Sequence, residues 1–386
     1  MIMVQALTNA RIFDGLQWHD NSALLIDSGK VAGVVAQGEL PSGIEQVDAG
    51  GAIIVPGFID LQVNGGGGVM LNDDQSVEGI RQICAAHAKF GTTALLPTLI
   101  TDTREITAAA IEAGLKAKAA KVPGFLGLHL EGPHLSVARK GTHHPGLIRS
   151  MEDVDLERLL AIGHSFEALM ITVAPENTTE EQVRALAKAG FAVSLGHTNA
   201  PYETAKAYAE AGARTVTHLF NAMSPLENRS PGLVGAALDL GNLSTGIIAD
   251  GFHVHPASMG LALRAKRGPG RVFIVTDAMS TIGTDLTGLT LNDRQIYRKD
   301  GRLTLADGTL AGADIDMLSS VLFVHRQLGL DFEEAVRMAS LYPAEAIGVS
   351  DHKGRLKAGY DADFVVLTDD HHMRSTWIGG ERVFAA

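Results

Sequence analysis

Residues 192–223, AVSLGHTNAPYETAKAYAEAGARTVTHLFNAM, decide the fold of this chain. A short apolar run ends in Gly196-His197, an alanine-rich helical segment closes at Gly212, and a second β-branched run ends in His218. Two parallel strands joined by a crossover helix point the same way, so the residues that follow them meet at one edge of a sheet. Two imidazoles there, joined by a carboxylate, can hold zinc and leave one coordination position open. The alternative is two histidines that are only hydrogen-bonded at strand ends.

Length and composition favour a globular α/β protein with more than one domain. The chain has 386 residues, of which 46% are hydrophobic and 43 are glycine. This length suits a barrel of roughly 250 residues with a smaller added domain. Cys84 is the one cysteine, which excludes a disulfide framework and a thiolate zinc site and favours the cytoplasm. The sequence has neither a signal-peptide pattern nor an apolar run of membrane-spanning length, so we predict no membrane association.

The charge of the chain excludes a further class of partner. Its 32 basic residues are outnumbered by 44 acidic ones, which gives a net charge of −12 at pH 7. No basic cluster with interleaved aromatic residues occurs, so we predict no nucleic-acid partner. Because the overall field repels anions, an anionic substrate would need a local group of hydrogen-bond donors.

The middle of the chain, residues 56–349, alternates strands and helices as a (β/α)8 TIM barrel does. Helices are predicted between most strands, for example at 77–89, 104–120 and 180–189. In such barrels the catalytic groups lie on the loops that follow the carboxyl ends of the strands. The eight predicted strands are 58–63, 93–99, 125–130, 169–173, 192–195, 215–217, 245–249 and 271–276.

Both ends of the chain carry short alternating runs that are typical of β-structure. Residues 1–55 and 350–386 are therefore predicted to form one small β-sandwich domain beside the barrel of residues 56–349. A further β-rich insertion is predicted at 289–305, after the eighth strand.

Residues that can ionise or bind a metal follow six of the eight predicted strands. Any one of them could be an ordinary solvated loop residue, but core packing does not explain the whole set. Because the strands are parallel, the set should converge on one rim of the barrel. Its members are Glu131, Glu176, His197, His218, Asp250 with His253, and Asp277.

Several motifs spread along nearly the whole chain resemble those of one enzyme family. They are PGFIDLQVNGGGG, HLEGPH, SLGHTN, THLFNAM, IIADGFHVH, IVTDAM and GTLAGA. The chain resembles the N-acetylglucosamine-6-phosphate deacetylases of the amidohydrolase superfamily. The resemblance implies metal-dependent hydrolysis of the N-acetyl group of N-acetyl-D-glucosamine 6-phosphate to glucosamine 6-phosphate and acetate, in amino-sugar catabolism and cell-wall sugar recycling.

The resemblance also implies a metal centre. Glu131, His197 and His218 match the ligands of one divalent ion per subunit, for which zinc is expected first and iron, manganese or cobalt also fit. Many amidohydrolases carry His-x-His after the first strand and a lysine after the fourth, and these residues bind a second metal. Here the first strand ends in Gln62 and Asn64, whose amides are poor zinc ligands. Whether a weak second ion binds near these two residues stays open.

Two residues are expected to carry the chemistry. Asp277 is placed to take a proton from the attacking water and to return it to the departing amine. His143 matches the family residue that faces the substrate carbonyl, where a donor stabilises the oxyanion. Thr142 is expected to contact the sugar, whereas the neighbouring His144 has no family match and is interpreted as a surface residue.

The family pattern assigns further residues to the substrate. The backbone of Asn221 and Ala222, together with Arg229, would receive the phosphate, and His253 and Asp250 would contact the substrate nearby. An arginine suits a phosphate because its planar fork matches two oxygens. In the family this arginine reaches the site of the neighbouring subunit, so the resemblance implies a homodimer. A following segment would close over the acetyl group with small residues: Leu310, Ala311 and Gly312.

Other functions remain open at this point. The substrate could be the galactosamine epimer, since no residue in the sequence identifies the configuration at C4. Another amidohydrolase reaction, such as cyclic-amide hydrolysis or deamination, is a further alternative, although the phosphate-directed residues argue against cyclic amides. A sugar-phosphate sensor without turnover would belong to a different class, but every expected ligand and Asp277 are present.

Overall fold

The computed structural model describes residues 5–291 and 294–386. Residues 1–4, within the predicted terminal domain, and 292–293, within the predicted insertion, lie outside the described residues. The strands are β1 (Gln5–Phe13), β2 (Trp18–Asp27), β3 (Lys30–Ala36), β4 (Glu45–Asp48), β5 (Ile53–Pro56), β6 (Phe58–Val63), β7 (Gly65–Gly66), β8 (Val69–Met70), β9 (Thr92–Ile100), β10 (Gly127–Glu131), β11 (Ala168–Val173), β12 (Phe191–Leu195), β13 (Thr215–Val216), β14 (Ser244–Ile248), β15 (Val272–Val275), β16 (Gly288–Leu291), β17 (Arg294–Lys299), β18 (Arg302–Thr304), β19 (Leu310–Ala313), β20 (Phe364–Leu367), β21 (Met373–Ile378) and β22 (Glu381–Ala385). The helices are α1 (Val77–Ala88), α2 (Arg104–Ala119), α3 (Asp153–Ala161), α4 (Glu180–Lys188), α5 (Tyr202–Ala211), α6 (Gly232–Asp239), α7 (Pro256–Ala265), α8 (Met317–Leu328), α9 (Phe332–Ala339) and α10 (Leu341–Ile347).

The predicted TIM barrel is confirmed. Its eight parallel strands pair in the order β6, β9, β10, β11, β12, β13, β14 and β15. The first and last strands also meet, because Asp277 N–H donates to Gln62 O at 2.9 Å and Asn64 N–H donates to Ala278 O at 2.9 Å. These bonds close the sheet and bring the residues after β15 beside the end of β6, where the predicted site lies.

The barrel forms where the sequence predicts it because its strands are continuous apolar runs. All nine residues of β9 are buried, as expected for a parallel strand covered on both faces. The helices begin at capping residues, which fix their first turns. Ser76 accepts from Gly79 N–H at the start of α1, and Thr103 accepts from Ile106 N–H at the start of α2.

The two ends of the chain share one sheet, which confirms the small β domain formed by both termini. Strands β20, β21 and β22 from the C-terminus continue a sheet with β5, β1, β2 and β3 from the N-terminus, and β4 pairs with β1. The joint is the antiparallel pair β5–β20. Its own core includes Ile12, Leu24 and Phe364, and the rings of Phe364 and Trp377 stack 5.2 Å apart. The exact limits predicted at 55 and 350 stay a prediction.

The β-rich insertion after the eighth strand is also present. Strands β16, β17, β18 and β19 form an antiparallel sheet in that order. Arg294 on β17 donates through Nη2 to the carbonyl oxygen of Thr142 at 2.6 Å, so the insertion contacts the loop that carries His143. Within the described part of the chain, no helix combines the length and the apolar character needed to cross a membrane.

Candidate active site

The barrel brings the three predicted metal ligands together. Glu131 ends β10, while His197 and His218 each lie two residues beyond the ends of β12 and β13. Oε1 of Glu131 lies 3.2 Å from Nε2 of His197 and 3.3 Å from Nε2 of His218. The two Nε2 atoms are 3.0 Å apart, and all three residues are buried. The three side chains therefore meet at one point of the barrel rim, and their role as metal ligands stays a prediction.

The geometry of this trio fits a divalent ion. His197 Nδ1–H donates to the Arg139 carbonyl oxygen at 2.9 Å, so Nε2 of the neutral ring carries a lone pair. That lone pair faces a carboxylate oxygen and a second imidazole nitrogen, an arrangement that a bound cation would stabilise. Metal bonds of ~2.0–2.1 Å in a tetrahedron place donor atoms about 3.3 Å apart, close to the separations found here. Glu131 supplies the carboxylate oxygens of the trio, with Oε1 facing both imidazoles.

His143 also lies close to Glu131, with Nε2 4.0 Å from Oε2. Its Nδ1 accepts from the Thr101 N–H at 3.3 Å and lies 2.8 Å from the Thr101 hydroxyl, so the neutral ring carries its proton on Nε2. Burial, together with the neighbouring His197, lowers the pKa of His143 to about 3. The neutral ring of His143 is thus an N–H donor, and its ligand atom also lies within 4.8 Å of those of Glu131 and His197. His144 is exposed, as the sequence predicted.

Asp277 lies beside the trio, two residues beyond β15. Its Oδ1 accepts from Asn64 Nδ2 at 2.7 Å and from Gln62 Nε2 at 3.2 Å. Burial and the charge of Glu131 both raise the pKa of Asp277 above its ordinary value. A carboxylate in this setting takes up a proton more readily than a solvated one, which a general base that later acts as an acid needs.

Gln62 and Asn64 have a role that the sequence did not reveal. Gln62 Nε2 donates to Glu131 at 3.0 Å as well as to Asp277, so one amide bridges the candidate metal ligand and the candidate base. From the sequence alone, both residues are only replacements for the usual metal ligands. The sequence signal that could have identified this role is the amide side chain itself. An amide offers N–H donors to carboxylates, whereas an imidazole in its place would offer a lone pair to a metal.

Several site residues have strained backbones. His197, His218 and Asp277 have φ angles of 47°, 28° and 52°, and each stands at the same two-residue offset from its strand. Positive φ is uncommon for residues other than glycine, and such strain concentrates at functional sites. Phe220 and Ala222 share the feature, with φ of 77° and 48°. Alternation of left- and right-handed residues turns backbone N–H groups toward one point and creates a concavity that binds anions.

A cavity of about 180 Å³ opens over these groups. Besides Glu131, His197 and His218, most of the residues predicted to contact substrate line it. They are Thr142, His143, Asn221, Ala222, His253, Asp277, Leu310 and Gly312.

Three predicted contact residues lie outside the wall of this cavity. Ala311 is fully buried among the residues of the insertion, because neighbouring residues of a strand face opposite sides. Asp250 stands behind His253 and accepts from its Nδ1–H at 2.6 Å. Arg229 is exposed and lines a different cavity beside Tyr202 and Leu226. The side chains of Ala311 and Asp250 do not line this cavity, and their predicted contacts with substrate stay predictions.

A closed barrel with a buried Glu-His-His trio and an aspartate at its carboxyl rim defines the class of metal-dependent hydrolases built on TIM barrels. The family model of the amidohydrolase family matches residues 53–383, and that of the NagA composite domain matches residues 5–54.

Similarity to named proteins narrows this class of hydrolases to one family. The chain is 45% identical over 333 residues to an N-acetylgalactosamine-6-phosphate deacetylase of Shewanella sp. (strain ANA-3), covering 86% of this chain and 84% of that protein. It is 37% identical over 382 residues to an N-acetylglucosamine-6-phosphate deacetylase of Haemophilus influenzae, covering 98% and 99%. The crystal structure of N-acetylglucosamine-6-phosphate deacetylase from Pasteurella multocida superimposes with a TM-score of 0.95 at 36% identity, over 100% of both chains. The chain therefore belongs to the amidohydrolase family and, within it, to the N-acetylglucosamine-6-phosphate deacetylase family.

Proposed function

We propose that this protein hydrolyses the N-acetyl group of N-acetyl-D-glucosamine 6-phosphate to glucosamine 6-phosphate and acetate, in amino-sugar catabolism and cell-wall sugar recycling. The observation that carries the proposal is the buried trio of Glu131, His197 and His218 with Asp277 beside it. The named relatives support the choice of substrate. The single cysteine suits a reducing compartment, so we place the protein in the cytoplasm.

The residues of the site divide the reaction between them. Glu131, His197 and His218 would hold one divalent ion per subunit, zinc by the nature of its donors, and that ion would supply the nucleophile by lowering the pKa of a water toward ~7. Asp277 accepts the proton of the attacking water and returns it to the departing amine. His143 donates its Nε2–H to the substrate carbonyl oxygen, which becomes the oxyanion. The Gln62 amide holds Asp277 and Glu131 in place.

The acetyl group has a close-fitting wall. Leu310 and Gly312 line the cavity, and Gly312 has a φ of 77°. A Cβ at Gly312 would lie 2.5 Å from Cγ and Sδ of Met279, so no side chain fits there. This wall favours a short acyl group over a long one.

The phosphate end is formed by donors on the loop after β13. In the strained run around Phe220 and Ala222 the Asn221 N–H donates to the His218 carbonyl oxygen at 3.0 Å, which leaves the Ala222 N–H as the donor for a phosphate in a chain of net charge −12. Arg229 completes this end from the second subunit of a homodimer. Its exposed position, outside the cavity of its own chain, supports that arrangement.

Mixed dimers test whether Arg229 acts across the subunit interface. Arg229→Ala should raise KM for the phosphorylated sugar far more than for the unphosphorylated one. When Arg229→Ala and the inactive Asp277→Asn are mixed, some dimers contain one site with both residues intact, so activity with the wild-type KM should return. Equal effects on the two sugars, or no recovery after subunit exchange, would contradict the proposal.

N-acetylgalactosamine 6-phosphate is the second candidate substrate, favoured by the 45% identity to the Shewanella enzyme. A panel of the two N-acetylhexosamine 6-phosphates and their unphosphorylated forms decides between them, with acetate release and bound metal both measured. The higher kcat/KM identifies the substrate. Absence of acetate release from metal-loaded protein on every member would reject the deacetylase proposal and leave the sensor or another amidohydrolase reaction.

A further inference from the structure

A run of buried polar side chains crosses the interior of the barrel. Oγ1 of Thr172 on β11 lies 2.7 Å from Nε2 of His129 on β10 and 2.7 Å from Oγ1 of Thr217, which directly follows β13. Because β12 separates β11 from β13 in the sheet, the contact between Thr172 and Thr217 passes through the interior. At the two ends of the run, Oγ1 of Thr98 lies 3.4 Å from Nδ1 of His129, and Oγ of Ser194 lies 2.6 Å from Oγ1 of Thr217. These five side chains form the polar layer.

The composition of the polar layer is unusual for this fold. The interior of a TIM barrel is normally filled by layers of Val, Ile and Leu. Every residue of the polar layer is at most 2% exposed, and burial of polar groups is costly unless they are hydrogen-bonded to one another. A fully bonded network fixes the positions of its members, which apolar side chains of similar volume do less strictly. The polar layer therefore joins five consecutive strands, β9 to β13, in one arrangement.

The polar layer lies directly against the residues that carry the two histidines of the trio. Thr217 immediately precedes His218, and Gly196 immediately precedes His197. A Cβ at Gly196 would lie 2.8 Å from Cγ2 of Thr172 and 2.8 Å from Cβ of Thr217. The backbone before each histidine is therefore either part of the polar layer or packed closely on it.

The backbones of His197 and His218 need such a support. Their φ angles of 47° and 28° lie in a region that is unfavourable for residues with a side chain. Conformations of this kind persist only where the surrounding structure over-determines them. The rigid, hydrogen-bonded layer beneath these two residues meets that requirement.

We propose that the polar layer positions the metal ligands. It holds His197 and His218 in their strained backbone conformations, so that the trio keeps the spacing that a divalent ion needs. The layer acts through the backbone, and its members are positioning residues rather than catalytic ones. The inference rests on the proposed function, since it needs a metal ion bound by the trio.

Two substitutions of Thr172 separate its hydroxyl from its volume. Its strand, β11, carries no member of the trio, so an effect on metal binding must pass through neighbouring strands. Thr172→Val removes the hydroxyl that joins His129 to Thr217. The Kd for zinc, measured by competition with a chelator, should rise about tenfold, near the low end for loss of a group that supports a metal ligand. Thr172→Ser keeps the hydroxyl and should retain a Kd within about twofold of the wild type, although the lost methyl group lowers Tm.

Thr245→Val is the matched control. Thr245 on β14 has 0% exposure, as Thr172 does, and its hydroxyl donates to the backbone carbonyl of Val216 at 3.2 Å, outside the polar layer. Both valine variants lose a buried hydroxyl and its hydrogen bonding, so both should lower Tm. Thr245→Val should nevertheless bind zinc with the wild-type Kd, because it leaves the polar layer intact.

Three results would overturn the inference: a wild-type Kd in Thr172→Val, an equal rise of Kd in Thr245→Val, or an equal rise in Thr172→Ser. If Thr172→Val does not fold, Ser194→Ala at the end of the polar layer takes its place, and an unchanged Kd there overturns the inference. An unmodified protein that binds no divalent ion would reject the proposed metal centre itself. That outcome is read without any variant and is therefore distinguishable.

Discussion

Two groups of histidine and carboxylate side chains among the described residues could hold a metal ion, one around Glu131 at the barrel rim and one near the surface, and they differ in how their charge is balanced. The buried trio at the barrel rim has Glu131 facing two imidazoles. The second group, Glu167, His352 and Asp361, also has ligand atoms within 4.8 Å of one another, but it is partly exposed. Similar residue types therefore occur in two very different settings.

The protein neutralises the exposed group by itself. Lys353 lies 2.7 Å from Asp361, which also pairs with Lys30. His352 lies between Glu167 at 2.8 Å and Asp351 at 2.6 Å. Such an arrangement is an ion-pair network, and it has no need of a metal.

In the buried trio, no lysine or arginine among the described residues pairs with Glu131. Three lone-pair donors converge there out of contact with solvent, and a buried uncompensated charge is costly. The comparison teaches that a missing countercharge, more than residue type, marks the candidate metal site.

Replacing one carboxylate in each group should give the largest difference in metal content. Glu131→Gln should abolish both stoichiometric metal binding and acetate release, because loss of even a supporting hydrogen bond typically lowers metal affinity by roughly 10–100-fold and here a ligand itself is lost. Asp361→Asn in the exposed network should keep the full metal content. Elemental analysis of both purified variants measures this. Equal metal loss in the two would show that the exposed network also binds an ion.

A smaller effect is expected when the metal stays and the base is lost. Asp277→Asn should lower kcat by about 10⁴-fold, near the upper end for a general acid–base, since Asp277 serves both proton transfers. The metal content should remain that of the wild type. Asp285→Asn, an exposed aspartate nearby in the sequence, is the control. Retention of more than a tenth of wild-type turnover would rule out the catalytic role.

The smallest effect concerns the exposed network and depends on pH. Burial acts to lower the pKa of His352, but Glu167 and Asp351 raise it above its ordinary value. Its stabilisation is therefore full below the unfolded pKa of about 6.5 and is lost as the pH rises through the higher folded pKa. His352→Gln should lower Tm by about 1–2 °C near pH 5.5, since exposed pairs contribute little, and by less near pH 9. Thermal unfolding at both pH values measures the change in Tm. A larger decrease in Tm at pH 9 than at pH 5.5 would contradict the expected direction.

The sequence was sufficient for the architecture because the barrel strands are nearly uninterrupted apolar runs. It also located Glu131, His197, His218 and Asp277, since parallel strands bring their carboxyl ends to one rim whatever the details of packing. Even the two-residue strand β13 was predicted, from the β-branched run that precedes His218.

The details that the sequence missed depend on register and rotamers. Ala311 faces away from the cavity because of the alternation within β19, and a motif match does not show which face a residue occupies. Asp250 was expected to touch substrate, but its side chain closes the turn and pairs with His253. The donor role of Gln62 needed the positions of two carboxylates that lie 69 and 215 residues away along the chain.

The positive φ angles of His197, His218 and Asp277 bear on how this protein can be engineered. Glycine at any of these positions would adopt the same backbone without the steric cost that a side chain carries there, so selection for thermal stability alone should favour replacing them. A variant obtained by such a screen would keep the barrel fold but would lack the functional side chains at its rim. A search for a more thermostable enzyme must therefore select for turnover at every round, and its stabilising substitutions should lie away from the barrel mouth.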